Sequence, residues 1–185
     1  MNLLKSAIFI CLYLVFTSSN ANEKSKIINK LNYIDNIQFR FTQKTNDKVE
    51  KGKCILAFPN KLKCNYEDKN EKELIVNKKM MAITQKRYGK TLFYPLSKSA
   101  FINILSKNSL IRVINESDII IDNYINIVFI GKNNYKTLIR FDKKNYLLAG
   151  WVSSDQYNNK IIFEINILSI NQNFNDNIFI LPSKS

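Results

Sequence analysis

The sequence predicts a mainly β domain in which many antiparallel strands form a strongly bent sheet, an incomplete barrel, accompanied by two short helices. Three observations support this prediction. Apolar and polar residues alternate with a period of two over many short segments, clusters of Asn, Lys and Asp separate these segments, and only two segments show helical spacing. No repeat, low-complexity tract or linker divides the 185 residues, so we expect one domain.

The first 21 residues are expected to be a secretory signal peptide rather than part of that domain. Lys5 supplies a positive charge, and the apolar stretch AIFICLYLVF (7–16) is too short to span a bilayer comfortably. Ser19 and Ala21 occupy the minus-three and minus-one positions of a cleavage site. We therefore predict cleavage after Ala21 and a domain comprising residues 22–185. An uncleaved membrane anchor is the alternative interpretation.

The exported domain is predicted to begin with a short amphipathic helix, KIINKLNYI (26–34), because its isoleucines and Leu31 recur at helical spacing. The period then changes to two, since Ile37, Phe39 and Phe41 alternate with polar residues and indicate a half-buried strand. Further strands are expected at 49–57, 62–67, 72–77 and 80–86.

A second short helix is predicted at AFINILSK (100–107), where Phe101, Ile104 and Leu105 share one face. Either Ser97 or Ser99 can supply its N-cap. The remainder of the chain returns to the strand pattern. Strands are expected at 109–114, 118–122, 124–130, 135–141, 146–154, 160–170 and 178–181.

Two cysteines remain after the predicted cleavage, and the strand pattern brings them together. A three-residue corner, FPN (58–60), would pair Ala57 with Lys61, and counting outward places Cys54 opposite Cys64. An oxidising compartment favours a disulfide between them. The alternative is two small buried residues that stay reduced.

The composition argues against most enzyme classes. The chain contains no histidine, which excludes Ser-His-Asp and Cys-His arrangements and imidazole zinc ligands. Its four glycines are far apart, so neither a P-loop nor a dinucleotide-binding loop can form. A carboxylate pair could hydrolyse a glycoside, but most acidic residues stand beside Lys or Asn in predicted turns. We therefore expect no enzymatic activity, no catalytic residues and no metal site.

The formal net charge of +13 comes mainly from 24 lysines, against 4 arginines, spread along the chain. Planar recognition of phosphates and bases favours arginine, so nucleic-acid binding is not expected. Loose attraction to an anionic membrane surface is compatible with this charge.

Several segments keep a characteristic order along the chain. The N-terminal helix leads into FRFTQK (39–44), and Gly52 follows; the later segments are FPNKLKCNY (58–66), KELIVNKKMMAI (72–83), TLFYPLSKSAFINIL (91–105), LLAGWVSSDQYNNKIIFEIN (147–166) and NIFILP (177–182). In this order and spacing the sequence resembles the LolA-type family of periplasmic outer-membrane lipoprotein carriers. The resemblance covers essentially the whole predicted domain. The family's mature start also falls close to Asn22.

The resemblance implies an unclosed β-barrel covered by short α-helices that form a lid over an apolar cavity. It implies a periplasmic, monomeric carrier that shields the acyl chains of lipoproteins without a cofactor. Its implied partners are acylated lipoproteins, an inner-membrane lipoprotein-releasing complex and an outer-membrane lipoprotein acceptor. The alternative is a periplasmic binder of another lipid or hydrophobic ligand on the same fold.

The resemblance also implies candidate site residues. Leu31, Phe101 and Leu105 match inward-facing helix positions of the family. The strand parity of Phe39, Phe41 and Ile55 is compatible with the facing wall of the cavity, and Trp151 is a further candidate.

The sequence departs from the family at the corner that holds the lid. Well-known members have an arginine immediately before the proline, and that arginine bonds to helix backbone. Here Phe58 precedes Pro59, and Arg40 on a neighbouring strand is the candidate substitute.

Overall fold

One antiparallel sheet of eleven strands organises the computed structural model, in which residues 21–98, 102–130, 136–154 and 158–183 are described. The order across the sheet is β6-β5-β4-β3-β2-β1-β11-β10-β9-β8-β7. Because β6 and β7 are separate edges, the sheet is not closed, and the predicted unclosed, mainly β architecture is confirmed. The strands are β1 Asn36–Thr45, β2 Lys48–Ala57, β3 Lys61–Tyr66, β4 Lys72–Asn77, β5 Met80–Gln85, β6 Lys90–Pro95, β7 Asp118–Ile121, β8 Ile125–Ile130, β9 Lys136–Phe141, β10 Leu148–Ser154 and β11 Lys160–Ile170.

Three α-helices lie with this sheet in the part of the chain that is described. Residues 21–33 are helical (α1), which confirms the predicted N-terminal helix and extends it toward its start. The second predicted helix appears as α2, Ile102–Leu105, and α3 covers Lys107–Glu116. Within the described ranges, no helix is both long and apolar enough to cross a membrane.

The strand predicted at 109–114 is wrong, because this segment belongs to α3. Ser106 caps the helix by accepting a hydrogen bond from the backbone N–H of Ser109. Leu110, Val113 and Ile114 then form one buried face at helical spacing. The β-branched residues favoured a strand, but burial of that face outweighs their modest helix penalty.

The strand predicted at 178–181 is also wrong. A 3₁₀ turn, Asp176–Phe179, occupies this position, and the side chain of Asn175 caps it by accepting from the backbone N–H of Asn177. Phe179 is fully buried, and its carbonyl accepts a hydrogen bond from the Asn77 side chain on β4. The C-terminal segment is therefore held against the sheet by one large side chain and by turn contacts.

The buried apolar residues fall into two clusters. The first cluster joins β1 to β4 and β11 with the end of α2, and includes Phe39, Leu56, Leu74 and Leu105. The second cluster joins α1 and α3 to β8, β9 and the start of β10. Its members are Ile27, Leu31, Ile104, Leu110, Val113, Ile114, Ile125, Ile127, Ile139, Phe141 and Leu148.

Candidate functional site

An apolar cavity of about 240 Å³ lies between the sheet and α2. Side chains on β1, β2, β3 and β4 form one wall, with Leu56 and Leu74 among them. Ile104 and Leu105 of α2 cover it, and Trp151 of β10 also lines it. Few polar groups reach the lining, so the cavity suits a hydrocarbon chain better than a polar metabolite.

Aromatic rings form a continuous row beside the cavity. Trp151 stacks on Phe163 with ring centroids 4.0 Å apart, and Phe163 stacks on Phe41 at 5.0 Å. Phe41 meets Tyr66 edge to face at 5.0 Å. This last contact crosses β2 at Gly52, where an added Cβ would lie 2.7 Å from the Phe41 ring. Gly52 is therefore required for the row to continue from β1 to β3.

A disulfide joins the second and third strands beside this cavity. Cys54 pairs with Cys64 and Ala57 with Lys61, which confirms the register predicted from the corner. The two cysteines form a disulfide with their Cα atoms 4.1 Å apart. Cys64 also contributes to the cavity lining.

A polar cluster stands at the end of the cavity formed by the β1–β2 hairpin. Gln43 and Tyr66 line the cavity, and the Lys72 ammonium lies 3.7 Å from the centroid of the Tyr66 ring. Burial, together with the charges of Glu50 and Asp68, raises the pKa of Tyr66 to about 12. The phenol therefore stays neutral at physiological pH.

Glu50 is the carboxylate of this cluster. Burial alone would raise the pKa of Glu50, but hydrogen bonds from Lys72 and Lys48 more than offset it and hold the pKa below its usual value. The Gln43 amide lies 3.5 Å from the same carboxylate. The cluster thus places paired charges next to the apolar wall.

The corner at 58–60 contacts the helices directly. The peptide bond between Phe58 and Pro59 is cis. The backbone N–H of Asn60 donates to the carbonyl of Leu105 over 2.8 Å, and the backbone N–H of Phe58 donates to the backbone carbonyl of Asp35 over 2.9 Å. A backbone bond from the corner thus reaches the last residue of α2, where relatives are expected to use an arginine side chain.

Arg40 does not reach the lid. Its side chain is exposed, and strand alternation turns it away from the buried Phe39 and Phe41. With Lys51 and Lys53, it lines a larger concavity of about 930 Å³ whose surface is mainly polar. The expectation that Arg40 replaces the lid arginine is therefore wrong. We assign the candidate site to the smaller, apolar cavity.

Lysines tie α1 and α3 together at both ends. Lys24 of α1 donates to the carbonyls of Asn115 (3.2 Å) and Ser117 (2.6 Å) at the C-terminal end of α3. Lys107, at the start of α3, reaches the carbonyl of Asn32 near the end of α1 at 3.4 Å. Each lysine thus places its positive charge at the negative end of the other helix.

Lys107 also meets the corner. Its ammonium lies 3.5 Å from the Asp35 carboxylate and 5.6 Å from the centroid of the Phe58 ring. Phe58 therefore contributes a ring face to the lid contact instead of a cation.

The structure places only some of the predicted cavity residues in the lining of the cavity. Phe39, Leu105 and Trp151 line the cavity. Phe41 is buried in the aromatic row, and Phe101 lies outside the described residues.

Two candidates lie elsewhere than expected. Ile55 faces away from the cavity, because Cys54 and Leu56 on either side of it point inward. Leu31 is buried in the second cluster, beneath α1, and does not line the cavity.

Sequence reasoning missed several residues of the site. Asn60 acts through its backbone, so no side-chain signal marks it. Lys107 is one of many lysines and has no distinguishing pattern. Phe163 could have been found, because it shares inward parity with Ile161 and Ile165 on β11.

The fold and site together define an unclosed antiparallel barrel with an apolar cavity beneath a helical lid. The family model described as outer membrane lipoprotein carrier protein LolA matches residues 32–181. The chain belongs to this family. No curated protein matches the sequence significantly.

Several solved structures are similar to this chain at low sequence identity. A DUF1329 family protein from Desulfovibrio piger is 9% identical, with a TM-score of 0.51, covering 88% of this chain and 96% of that one. A LolA superfamily protein from Nitrosomonas europaea is 10% identical, with a TM-score of 0.46 and coverages of 85% and 97%. The Mycobacterium tuberculosis lipoprotein LppX is 8% identical, with a TM-score of 0.47 and coverages of 85% and 98%.

Proposed function

We propose that the protein is a periplasmic carrier that shields the acyl chains of lipoproteins during transfer from the inner to the outer membrane. The observation that carries the proposal is the apolar cavity between the sheet and α2, with Phe39, Leu105 and Trp151 in its lining. Membership of the LolA family supports the same assignment. The carrier would act by binding and release, without changing a covalent bond.

The energetics explain why such a cavity is needed. Hiding a hydrocarbon chain from water is worth about 0.8 kcal/mol per methylene, so an unshielded acyl chain faces a large barrier in an aqueous compartment. Release must also remain possible. A cover as short as α2, four residues long, can open at low cost compared with unfolding of the domain.

A second candidate is a periplasmic binder of another lipid on the same fold. The small volume of the cavity favours this alternative. At about 240 Å³ the cavity lies below the roughly 300–1,000 Å³ of typical small-molecule sites, so a ligand with one acyl chain would fit it better than an anchor with several chains.

The carrier role requires export and two membrane partners. We infer that residues 1–21 direct secretion and that 22–185 form the working domain. The donor would be an inner-membrane lipoprotein-releasing complex and the acceptor an outer-membrane protein. We infer a monomer, since a one-to-one complex is sufficient for carriage.

The cargo itself tests these proposals. The full chain is expressed in a Gram-negative periplasm, purified without detergent, and its bound material is identified by mass spectrometry. An acylated protein supports the carrier, and a free phospholipid or glycolipid supports the second candidate. Leu105→Glu should reduce the amount bound, while Ile180→Glu, at a position 62% exposed, should not. Equal recovery of ligand from both folded variants would argue against the cavity as the cargo site.

A further inference from the structure

An apolar strip leads from the cavity to the edge of the sheet. Cys64 and Leu74 line the cavity, and the register continues from Leu74 to Ile83 on β5 and Leu92 on β6. Exposure rises along this row, from 7% at Leu74 to 45% at Leu92. The row begins beneath the lid and ends in solvent.

A second row runs parallel to the first. Leu62, which also lines the cavity, pairs with Val76, and the register continues to Met81 and Tyr94. Val76 is fully buried, whereas Tyr94 is 40% exposed. Met81 and Ile83 pack against the first cluster, so both rows join the cavity wall without a polar break.

The volume of the cavity sets a limit on what it can enclose. A cavity of about 150 Å³ holds benzene, with six carbons. By proportion, 240 Å³ holds a chain segment of about ten carbons. A longer acyl chain must therefore place its remaining methylenes on a surface continuous with the cavity.

We propose that Met81, Ile83, Leu92 and Tyr94, here called the edge strip, bind the distal part of an acyl chain whose first part occupies the cavity. This inference rests on the proposed function. Continuity with the cavity identifies the occupant, because the edge strip is the outward extension of the wall that contacts the chain. If the edge strip binds the chain, affinity should keep increasing with chain length after the cavity is full.

Chain-length dependence tests the edge strip. Binding of N-octanoyl and N-hexadecanoyl forms of one Cys-Ser-Ser-Asn peptide is measured by calorimetry on the purified protein. Full burial of a methylene strengthens binding about fourfold, and a half-open surface would give about twofold. Two additional methylenes inside the cavity would give about 16-fold and six on the edge strip about 64-fold, so we expect the hexadecanoyl peptide to bind several hundredfold more tightly than the octanoyl peptide. The double change Leu92→Ser and Tyr94→Ser should lower this ratio toward the roughly 16-fold that the cavity alone supplies and leave octanoyl affinity within twofold.

The opposite edge strand offers a matched control. Ile120 and Ile121 of β7 are 50% and 43% exposed, and the double change to Ser should leave both affinities unaltered. An unchanged chain-length ratio in the Leu92/Tyr94 variant would overturn the edge strip. Absence of binding by either peptide would instead refute the proposed function. If the Leu92/Tyr94 change abolishes a dimer seen in sedimentation and leaves the ratio intact, the edge strip covers a second copy and our assignment is wrong.

Discussion

The two halves of the sheet pack against the helices differently. Beneath α1 and α3, the second cluster is deeply buried, and Ile27, Leu110, Ile127 and Phe141 are all 0% exposed. Beneath α2, the first cluster leaves the cavity. The difference divides the sheet into a packed half, which anchors the lid, and a cavity half, which receives the ligand in the proposed function.

The hydrogen bonds follow the same division. Lys24 and Lys107 tie α1 and α3 at both ends. At the corner, α2 is held by the single backbone bond from Asn60 to Leu105. Since α2 has only four residues and contributes only Ile104 to the second cluster, it is the part of the lid that can open with the least disturbance of the packed half. Trp151 packs against both clusters and marks the boundary between them.

The largest expected effect compares two leucines on neighbouring helices. Leu110→Ala removes a fully buried side chain from the packed half and should lower the free energy of unfolding by about 4 kcal/mol. Leu105→Ala should lower it by only about 2 kcal/mol, because one side of Leu105 faces the cavity and already lacks packing partners. Denaturant unfolding of both variants measures the difference. Equal losses would mean that the cavity half is packed as tightly as the other.

The disulfide comes next in expected magnitude. The bond closes a loop with a sequence separation of 10, which corresponds to about 2–3 kcal/mol from restriction of the unfolded chain. Replacing both Cys54 and Cys64 by Ala should lower the free energy of unfolding by that amount. The same loss should follow reduction of the unaltered protein. Two freely alkylated thiols in protein purified from the periplasm would contradict the bond.

The lysine ties between the helices should contribute less. Lys24→Met removes the charge that lies at the C-terminal carbonyls of α3 and should cost about 1 kcal/mol in unfolding free energy. Arg112→Met, on the exposed face of the same helix α3, is the matched control and should change stability by less than about 0.5 kcal/mol. Similar losses in both variants would show that the ties are not specific.

The strand register was the most predictable part of the fold. In β1 to β5, alternation of apolar and polar residues and a short corner determine which residues pair, and both act locally. The sequence predicts a strand in place of helix α3, because Ile111, Val113 and Ile114 have high strand propensity. Only burial of one face in the folded domain selects the helix. The position of Leu31 required knowing which half of the sheet lies beneath α1. That packing is a long-range property that periodicity does not contain.

The smallest expected effect separates the halves by their acid sensitivity. In the cavity half, Glu50 and Glu73 both have pKa values below their usual 4.5; burial opposes this, but lysine hydrogen bonds outweigh it. A carboxylate with a depressed pKa in the folded state stabilises the fold above its unfolded pKa and loses that contribution as the pH falls through the folded value. Each should contribute less than about 1 kcal/mol, since both are partly solvated.

Gln substitutions at these positions should therefore flatten the decline of stability below about pH 4.5. In the packed half, hydrogen bonds from the Tyr124 backbone and the Asn126 side chain also lower the pKa of Asp122, but this carboxylate is exposed in a turn. Asp122→Asn should consequently alter the pH dependence less than Glu50→Gln or Glu73→Gln. Denaturant midpoints between pH 3 and pH 7 measure all three. A larger change in pH dependence from Asp122→Asn would mean that the acid-sensitive contacts lie in the packed half. The expectation that low pH destabilises the cavity half more would then be wrong.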